Sequence, residues 1–467
     1  MKSLSADEVC RAVRARWLRR PARPDITGVS TDSRTAVEGD VFFAIRGPRF
    51  DGHDYLAAAE KAGCSAAVVS RRDGPETSEG FGRMLVPDTT RALGDLAGFY
   101  RAQLPGAVVG VTGSNGKTTV KRMIHHILSG RLVGTCSPKS FNNQIGLPLT
   151  LLAARPGDDY VVCEIGTNAP GEVAALGAIA RPNAVVVTSV APAHLEKLGS
   201  IERVAVEKVS LLGCVADNGL AVINGDSDLL ARAARGYECR VVRFGEREEA
   251  ELRLTGYEPS GPAQQFQLNG RLWVELPLAG RHNALNALAA IAVAQRLGIG
   301  QEEAAAALAD FPGTEMRLEW LRAGPVTVLN DAYNANPASV AAAAQVLVEA
   351  PGTRKVAVLG DMLELGEEAR ALHEQTGREV AAMGVDLLIG VGELGRYTAQ
   401  GAAEAGAPTE AIDSVELACA RLPKLLREGD VVLIKGSRAV GMEALTVPIR
   451  AAFEPPRPSD EGRGADS

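Results

Sequence analysis

The consecutive residues Gly113, Ser114, Asn115, Gly116, Lys117 and Thr118 combine two glycines, a run of backbone N–H groups, a cation and a hydroxyl. Between a strand and a helix, such a segment suits a triphosphate with Mg²⁺: amides and the helix N-terminus face the oxygens, the lysine neutralises them, and the Thr118 hydroxyl reaches the metal. Thr119 extends the same turn. The spacing departs from the general phosphate loop, because Val111 stands where its first glycine would be. The plainer alternative is a Gly-rich turn with a chance lysine. Glu164 ends the apolar run "YVVCE" and offers a hard oxygen ligand for the same cation. His194, after another apolar run, reads on its own as a capping or packing residue. Lys208 in "VAVEKVSLL" reads on spacing alone as a solvent-facing helix lysine. Lys121, His125 and His126 follow the loop along its helix and read as surface or packing residues.

These groups lie far apart in sequence, so the fold must gather them. From Ala107 a β-branched run passes through the loop into a helical period, and apolar runs recur at "YVVCEIG", "NAVVVTSV" and "GLAVING". This alternation predicts a parallel sheet with right-handed crossovers. The polar–apolar alternation of "FGEREEAELRLTGYEPSGPAQQFQLNGRLWVELPL" predicts a few antiparallel strands, followed by the helix "HNALNALAAIAVAQRLG". After "ADFPGTEMR" the βα alternation starts again with "VTVLNDAY", "KVAVLGDM", "VDLLIGVG" and "DVVLIKGS", which places a boundary near Phe311 to Thr314. A chain of 467 residues exceeds what one core organises. The expected fold class is α/β in three domains: a small α/β unit at 1–104, a central parallel-sheet phosphate-loop ATPase domain at 105–312 and a Rossmann-like domain at 313–455. The Pro-rich, charged residues 456–467 lack core-forming side chains and read as a disordered tail.

"TGSNGKTT" resembles the phosphate loop of the Mur ligases and their folylpolyglutamate synthetase relatives. "SFNNQIGLPLTLL", "EIGTNAPGE", "PAHLEKLGS", "GRHNALNALAA", "DAYNANPAS", "LGDMLELG" and "IKGSRAVGME" then follow in that family's order. "STDSRTAVEGDVFFAIRGPRFDGHDY" is similar to the family's UDP-binding segment, which the folylpolyglutamate synthetases lack. The resemblance implies an ATP-dependent amide-forming ligase acting through an acyl phosphate. "FNNQIG" and "NANP", together with the missing "DNPR" motif, favour the branch that adds D-alanyl-D-alanine to UDP-N-acetylmuramoyl-tripeptide over the one that adds a diamino acid to the UDP-dipeptide. A non-catalytic ATP-binding paralogue is a third reading, opposed by the intact Lys117, Thr118, Glu164, His194 and Lys208.

Residue by residue, the resemblance makes Thr118 and Glu164 ligands of a first Mg²⁺ and His194 a holder of a second. It makes Lys208 a CO₂-derived carbamate that also ligates metal. His282, Asn283 and Asn286 are implied for adenine and ribose, and Arg317 and Asp331 for phosphates and ribose across the domain boundary. The expected Gly-Arg pair is interrupted here, since Thr-Glu-Met separates Gly313 from Arg317. Ser33, Arg34, Asp51, Gly52 and His53 are implied for the UDP group, although "TDSR" equally reads as a capped turn. Asn142, Asn143, Asn334, Asn336, Lys435, Ser437 and Arg438 are implied for the remaining substrate contacts.

Bulk properties exclude other classes. A net charge of −7 leaves no field for duplex nucleic acid, so anions must be held locally. The 7 cysteines show no CxxC pairing and read as reduced. No stretch approaches the roughly 18 apolar residues of a membrane span, and the N-terminus lacks a signal-peptide core. The expected protein is cytoplasmic and monomeric.

Overall fold

The computed structural model describes residues 1–454; residues 455–467, which hold the expected tail, lie outside the described residues. The N-terminal sheet has 5 strands in the order Arg16–Arg19, Gly82–Leu85, Ala66–Val69, Asp40–Phe43 and Gly28–Ser30. Only its first pair is antiparallel. The helix Thr89–Arg101 then runs from this sheet into the next unit, with the Asp88 carboxylate capping its N-terminus through Thr90 and Arg91. Its buried Leu93, Leu96 and Tyr100 share one apolar cluster with Val108, Leu147 and Leu176. The Arg101 guanidinium is sunk beside it, donating to the Ala180 carbonyl at 2.9 Å and to Asn183 Oδ1 at 2.8 Å. The first two sheets are therefore joined through a continuous core.

The central sheet has 9 strands. Gly134–Cys136, Tyr160–Glu164, Ala107–Thr112, Ala184–Val187, Leu220–Asn224 and Arg240–Gly245 lie side by side and parallel. Leu252–Ser260 adds parallel to Arg240–Gly245, and Ala263–Leu268 and Leu272–Leu276 extend that edge antiparallel. Helices cover both faces, so strands such as Ala184–Val187 are apolar throughout and wholly buried. Ala107–Thr112 sits between Tyr160–Glu164 and Ala184–Val187. The chain leaves it toward one side and later returns on the other, which opens a crevice at the strand's C-terminal end.

Phe311 belongs to the central core and Leu318 to the next. The C-terminal sheet has 6 strands in the order Glu319–Ala323, Val326–Asn330, Asp430–Lys435, Arg354–Gly360, Leu387–Val391 and Thr409–Ile412. All but the first are parallel. Its two faces carry separate apolar clusters. Among the described residues, no helix is long and apolar enough to cross a membrane and the cysteines are free.

Candidate active site

Residues 113–116 connect the strand Ala107–Thr112 to the helix Lys117–Ser129. Two positions in the turn require glycine. At Gly113, φ is 145° and a Cβ would lie 2.0 Å from Thr188 Oγ1; at Gly116, φ is 82° and a Cβ would lie 2.5 Å from Asn286 Oδ1. The neighbouring strand's outgoing loop holds the turn open, since Ser114 Oγ donates to the Ala191 carbonyl at 3.1 Å and the Asn115 amide donates to Ser189 Oγ at 3.0 Å. Lys117 curls back to donate to the carbonyls of Gly113 at 2.7 Å and Ser114 at 3.1 Å. Burial pushes its pKa down to about 8, with Glu164 opposing the fall and Arg317 adding to it.

Thr118 Oγ1 donates to Glu164 Oε2 at 2.9 Å, and Asn142 Nδ2 donates to Glu164 Oε1 at 3.0 Å. Lys121 also reaches this carboxylate, with Nζ 3.4 Å from Oε2. It donates to the Ser137 carbonyl at 2.8 Å and to that of Lys139, and it is 1% exposed. The surface alternative for Lys121 is thus corrected: it is the buried counter-ion of Glu164 and ties down the segment leading to Asn142. No apolar periodicity in the sequence marks a lysine that turns inward to meet a carboxylate from another strand. Lys121→Met leaves Glu164 buried with one partner fewer and is expected to lower stability by roughly 3 kcal/mol in urea unfolding. An unchanged midpoint would remove the ion pair from this account. His125 and His126 do stay peripheral, bonded to Tyr160 and Asp310.

Lys208 overturns the reading from spacing. It lies on the helix Ile201–Val209, is 0% exposed, and its Nζ has no hydrogen-bond partner. Burial first and the charge of Lys117 second drive its pKa well below that of an ordinary lysine. Glu207 beside it is engaged elsewhere, accepting from the amides of Gly171 and Val173 at 2.8 Å each.

The C-terminal domain closes the other wall. Asn336 caps the helix Pro337–Glu349 and exchanges side-chain amide bonds with Asn115, at 2.8 and 3.2 Å. Arg317 Nη2 donates to Thr118 Oγ1 at 3.0 Å, and its guanidinium lies 4.2 Å from the Tyr333 ring centre. The interruption between Gly313 and Arg317 therefore does not keep Arg317 from the phosphate loop. Asp331 and Lys435, at the ends of neighbouring strands, form an ion pair, and Lys435 also donates to the Asn334 carbonyl at 2.9 Å. Ser437 Oγ accepts from the Leu363 amide at 2.9 Å, and Arg438 pairs with Glu443 at 2.7 Å. Lys435, Ser437 and Arg438 all line the cleft, and Lys435, 2% exposed, is held at this strand end by Asp331 and the Asn334 carbonyl.

His282, Asn283 and Asn286 open the helix Arg281–Arg296 and line the same cleft. Burial holds the His282 imidazole neutral, near a pKa of about 4, with Asp331 opposing and Lys435 reinforcing the shift. Neither asparagine offers adenine a whole free amide, because the two are bonded to each other. Asn283 spends its Nδ2 on the Ala279 carbonyl at 2.7 Å and its Oδ1 on Asn286 at 3.0 Å.

In the N-terminal domain the expected UDP residues do not reach the main cleft. Its wall there is Ile45, Arg46, Gly47, Pro48 and Thr90. Arg34 forks onto Asp32, with Nη2 2.6 Å from Oδ2, beside Ser33. His53 is a correction: Nδ1 meets Asp51 at 2.6 Å, Nε2 accepts from the Ser70 amide at 2.9 Å, and no ring nitrogen is left for a ligand. Gly52 is there for close approach, because a Cβ would lie 2.7 Å from the Ile45 amide nitrogen. This fixed turn orients the loop carrying Arg46.

All three domains thus meet around one cleft of about 1010 Å³, which also contains Asn143 and Asn334. The Thr118 hydroxyl and Glu164 carboxylate supply the hard oxygens Mg²⁺ prefers. Among the described residues no cluster of three or more acidic, His or Cys side chains forms a complete cage. Such a donor set fits a cation that takes its other ligands from phosphate and water.

A strand-to-helix phosphate loop at a topological switch point, faced by a second domain's arginine and aspartate, defines a nucleoside-triphosphate-using enzyme. Family models divide the chain accordingly: "Mur ligase family, catalytic domain" over 25–101, "Mur ligase middle domain" over 111–294 and "Mur ligase, glutamate ligase domain" over 316–438. The chain belongs to the Mur ligase family, the ATP-dependent amide-forming ligases. It is 39% identical to the Escherichia coli K12 UDP-N-acetylmuramoyl-tripeptide–D-alanyl-D-alanine ligase, covering 90% of this chain and 93% of that one. A crystal structure of MurF from Acinetobacter baumannii superposes with a TM-score of 0.88 at 31% identity, covering 97% of this chain and 99% of that one. MurF ligase from Thermotoga maritima in complex with ADP gives 0.81 at 28%, covering 91% and 98%.

Proposed function

We propose that this chain joins D-alanyl-D-alanine to UDP-N-acetylmuramoyl-tripeptide for peptidoglycan precursor synthesis, converting ATP to ADP and phosphate, as a cytoplasmic monomer. The observation that carries the reading is the single cleft in which one chain brings together a phosphate loop, a Thr–Glu cation pair and walls from three domains. The names of relatives that match over nearly the whole chain supply the substrates.

Joining a carboxylate to an amine requires an activated acyl group, and the obstacle is electrostatic, because an anionic carboxylate must approach an anionic γ-phosphate. Lys117 and Arg317 face that space and neutralise it, while the 113–116 amides fix the phosphates in line. A carboxylate oxygen of the tripeptide bonds to the γ-phosphorus as the bond to ADP breaks. The dipeptide amine then attacks the acyl carbon, loses its proton, and phosphate leaves. Mg²⁺, which Thr118 and Glu164 would hold, supplies charge neutralisation when bound, and His194 with Lys208 as a CO₂-derived carbamate would hold a second cation. Asp331, held by Lys435 beside His282, is the carboxylate that would receive the ribose. Asn142, already on Glu164, together with Asn143, Asn334 and Asn336, lines the acceptor side. The loop carrying Arg46 receives the UDP-linked substrate.

The test is phosphate release from MgATP with the UDP-tripeptide, with and without D-alanyl-D-alanine, followed by mass analysis of the nucleotide. Release that needs both, with a product heavier by one dipeptide, supports the assignment. Turnover only with a UDP-dipeptide and a diamino acid would transfer it to that branch, and silence in both would favour a non-catalytic paralogue.

A further inference from the structure

His194 and Glu364 come from different domains, and both carry left-handed backbone, with φ of 56° and 65°. Non-glycine residues hold that conformation only where their surroundings enforce it. Here two contacts do so. Glu364 Oε2 meets His194 Nδ1 at 2.5 Å, and the Glu364 carbonyl accepts from the Glu196 amide at 3.2 Å. Gly366 makes the approach possible, since a Cβ there would lie 3.3 Å from Glu196 Cα. Both His194 and Glu364 line the cleft.

An imidazole can bind a cation only through a nitrogen that carries no proton, and a carboxylate at one ring nitrogen keeps the proton on that side. We propose that Glu364 is a positioning residue of the reaction: its carboxylate holds His194 with Nδ1 protonated and Nε2 free for a divalent cation. The second cation position is then complete only when the C-terminal domain has docked on the central one. Docking and metal binding become one event, and phosphate activation is withheld from a cleft that has not closed. This inference rests on the ligase reading, and its test is separable from it.

The full chain is prepared as wild type, Glu364→Ala and Glu364→Gln. Bound Mn²⁺ is counted by electron paramagnetic resonance with a non-hydrolysable ATP analogue and the UDP-tripeptide present, and the rate of phosphate release is measured against Mg²⁺ concentration. Glu364→Ala is expected to lose the weaker Mn²⁺ position and to raise the Mg²⁺ concentration for half-maximal rate about 10- to 100-fold, with the KM for the dipeptide unchanged. Glu364→Gln, whose amide oxygen still accepts from Nδ1–H, is expected to stay within a few-fold of wild type. The proposal is overturned if Glu364→Ala keeps both the Mn²⁺ count and the Mg²⁺ dependence. A fall in melting temperature with intact Mn²⁺ binding, or equal damage from Gln and Ala, also overturns it. If the wild type releases no phosphate, the ligase reading fails, and the Mn²⁺ count still decides the role of Glu364.

Discussion

Lys117→Ala is expected to lower kcat by on the order of 10³-fold while leaving the fold intact, because it removes the cation nearest the transferring phosphate from a site that water does not screen. The loss falls mainly on kcat, since the 113–116 amides and the cleft walls continue to bind nucleotide. Burial pushes the Lys117 pKa down to about 8, whereas a bound polyphosphate favours the charged form. Nucleotide binding by the wild type should therefore take up a proton at and above about pH 8 and weaken as pH rises further; the alanine variant should show neither effect. In the empty protein the linkage has the opposite sense. The folded pKa lies below the ordinary 10.5, so between about 8 and 10.5 the unfolded chain binds more protons, and this group's contribution to stability rises with pH across that window. Calorimetry in buffers of differing ionisation enthalpy, alongside single-turnover phosphate release, measures both. A nucleotide affinity flat from pH 7 to about 10, or a variant retaining a tenth of the rate, would refute this role.

The phosphate loop was legible because its signal is local: glycine, lysine and threonine must be neighbours, with a strand before and a helix after. The same holds for the strands themselves, where runs such as "AVVV" at 184–187 are buried on both faces. What a one-dimensional reading misses is the meeting of distant segments. Lys121 and Lys208 both sit among polar and apolar helix neighbours that would suit a surface, and each is turned inward by its neighbours in space. His53 shows the converse, since its motif suggests a ligand while Asp51 and Ser70 consume both of its nitrogens. Glu364 lay inside the motif "LGDMLELG", but nothing near it in sequence points to His194, 170 residues away. The interrupted Gly-Arg pair does not displace Arg317 from its implied place, because Met316 and Leu318 take left-handed backbone and bring it to the loop.

Lys208 offers the sharpest test, because two chemical states of one side chain predict opposite behaviour. As a free amine it is a buried donor without a partner, which costs about 1 to 3 kcal/mol, and it faces the like charge of Lys117. Burial and that neighbour favour the neutral amine, the form that can attack CO₂; in the second state the N–C bond would have formed with loss of a proton, giving an anionic carbamate. The like charge of Lys117 would then become an attraction that offsets part of the cost of burying the anion, and the new oxygens could bind a cation. Lys208→Ala should consequently cut turnover by at least about 100-fold, as expected for loss of a metal-supporting group, and millimolar acetate or formate should recover part of it by placing a carboxylate in the vacated space. Lys208→Met, which keeps the volume and removes the amine, should be equally inactive, insensitive to added acid, and at least as stable as wild type prepared without CO₂. Equal activity of the alanine variant with and without acid, at any level, would leave the carbamate unsupported. Full activity of the methionine variant would remove Lys208 from the reaction altogether.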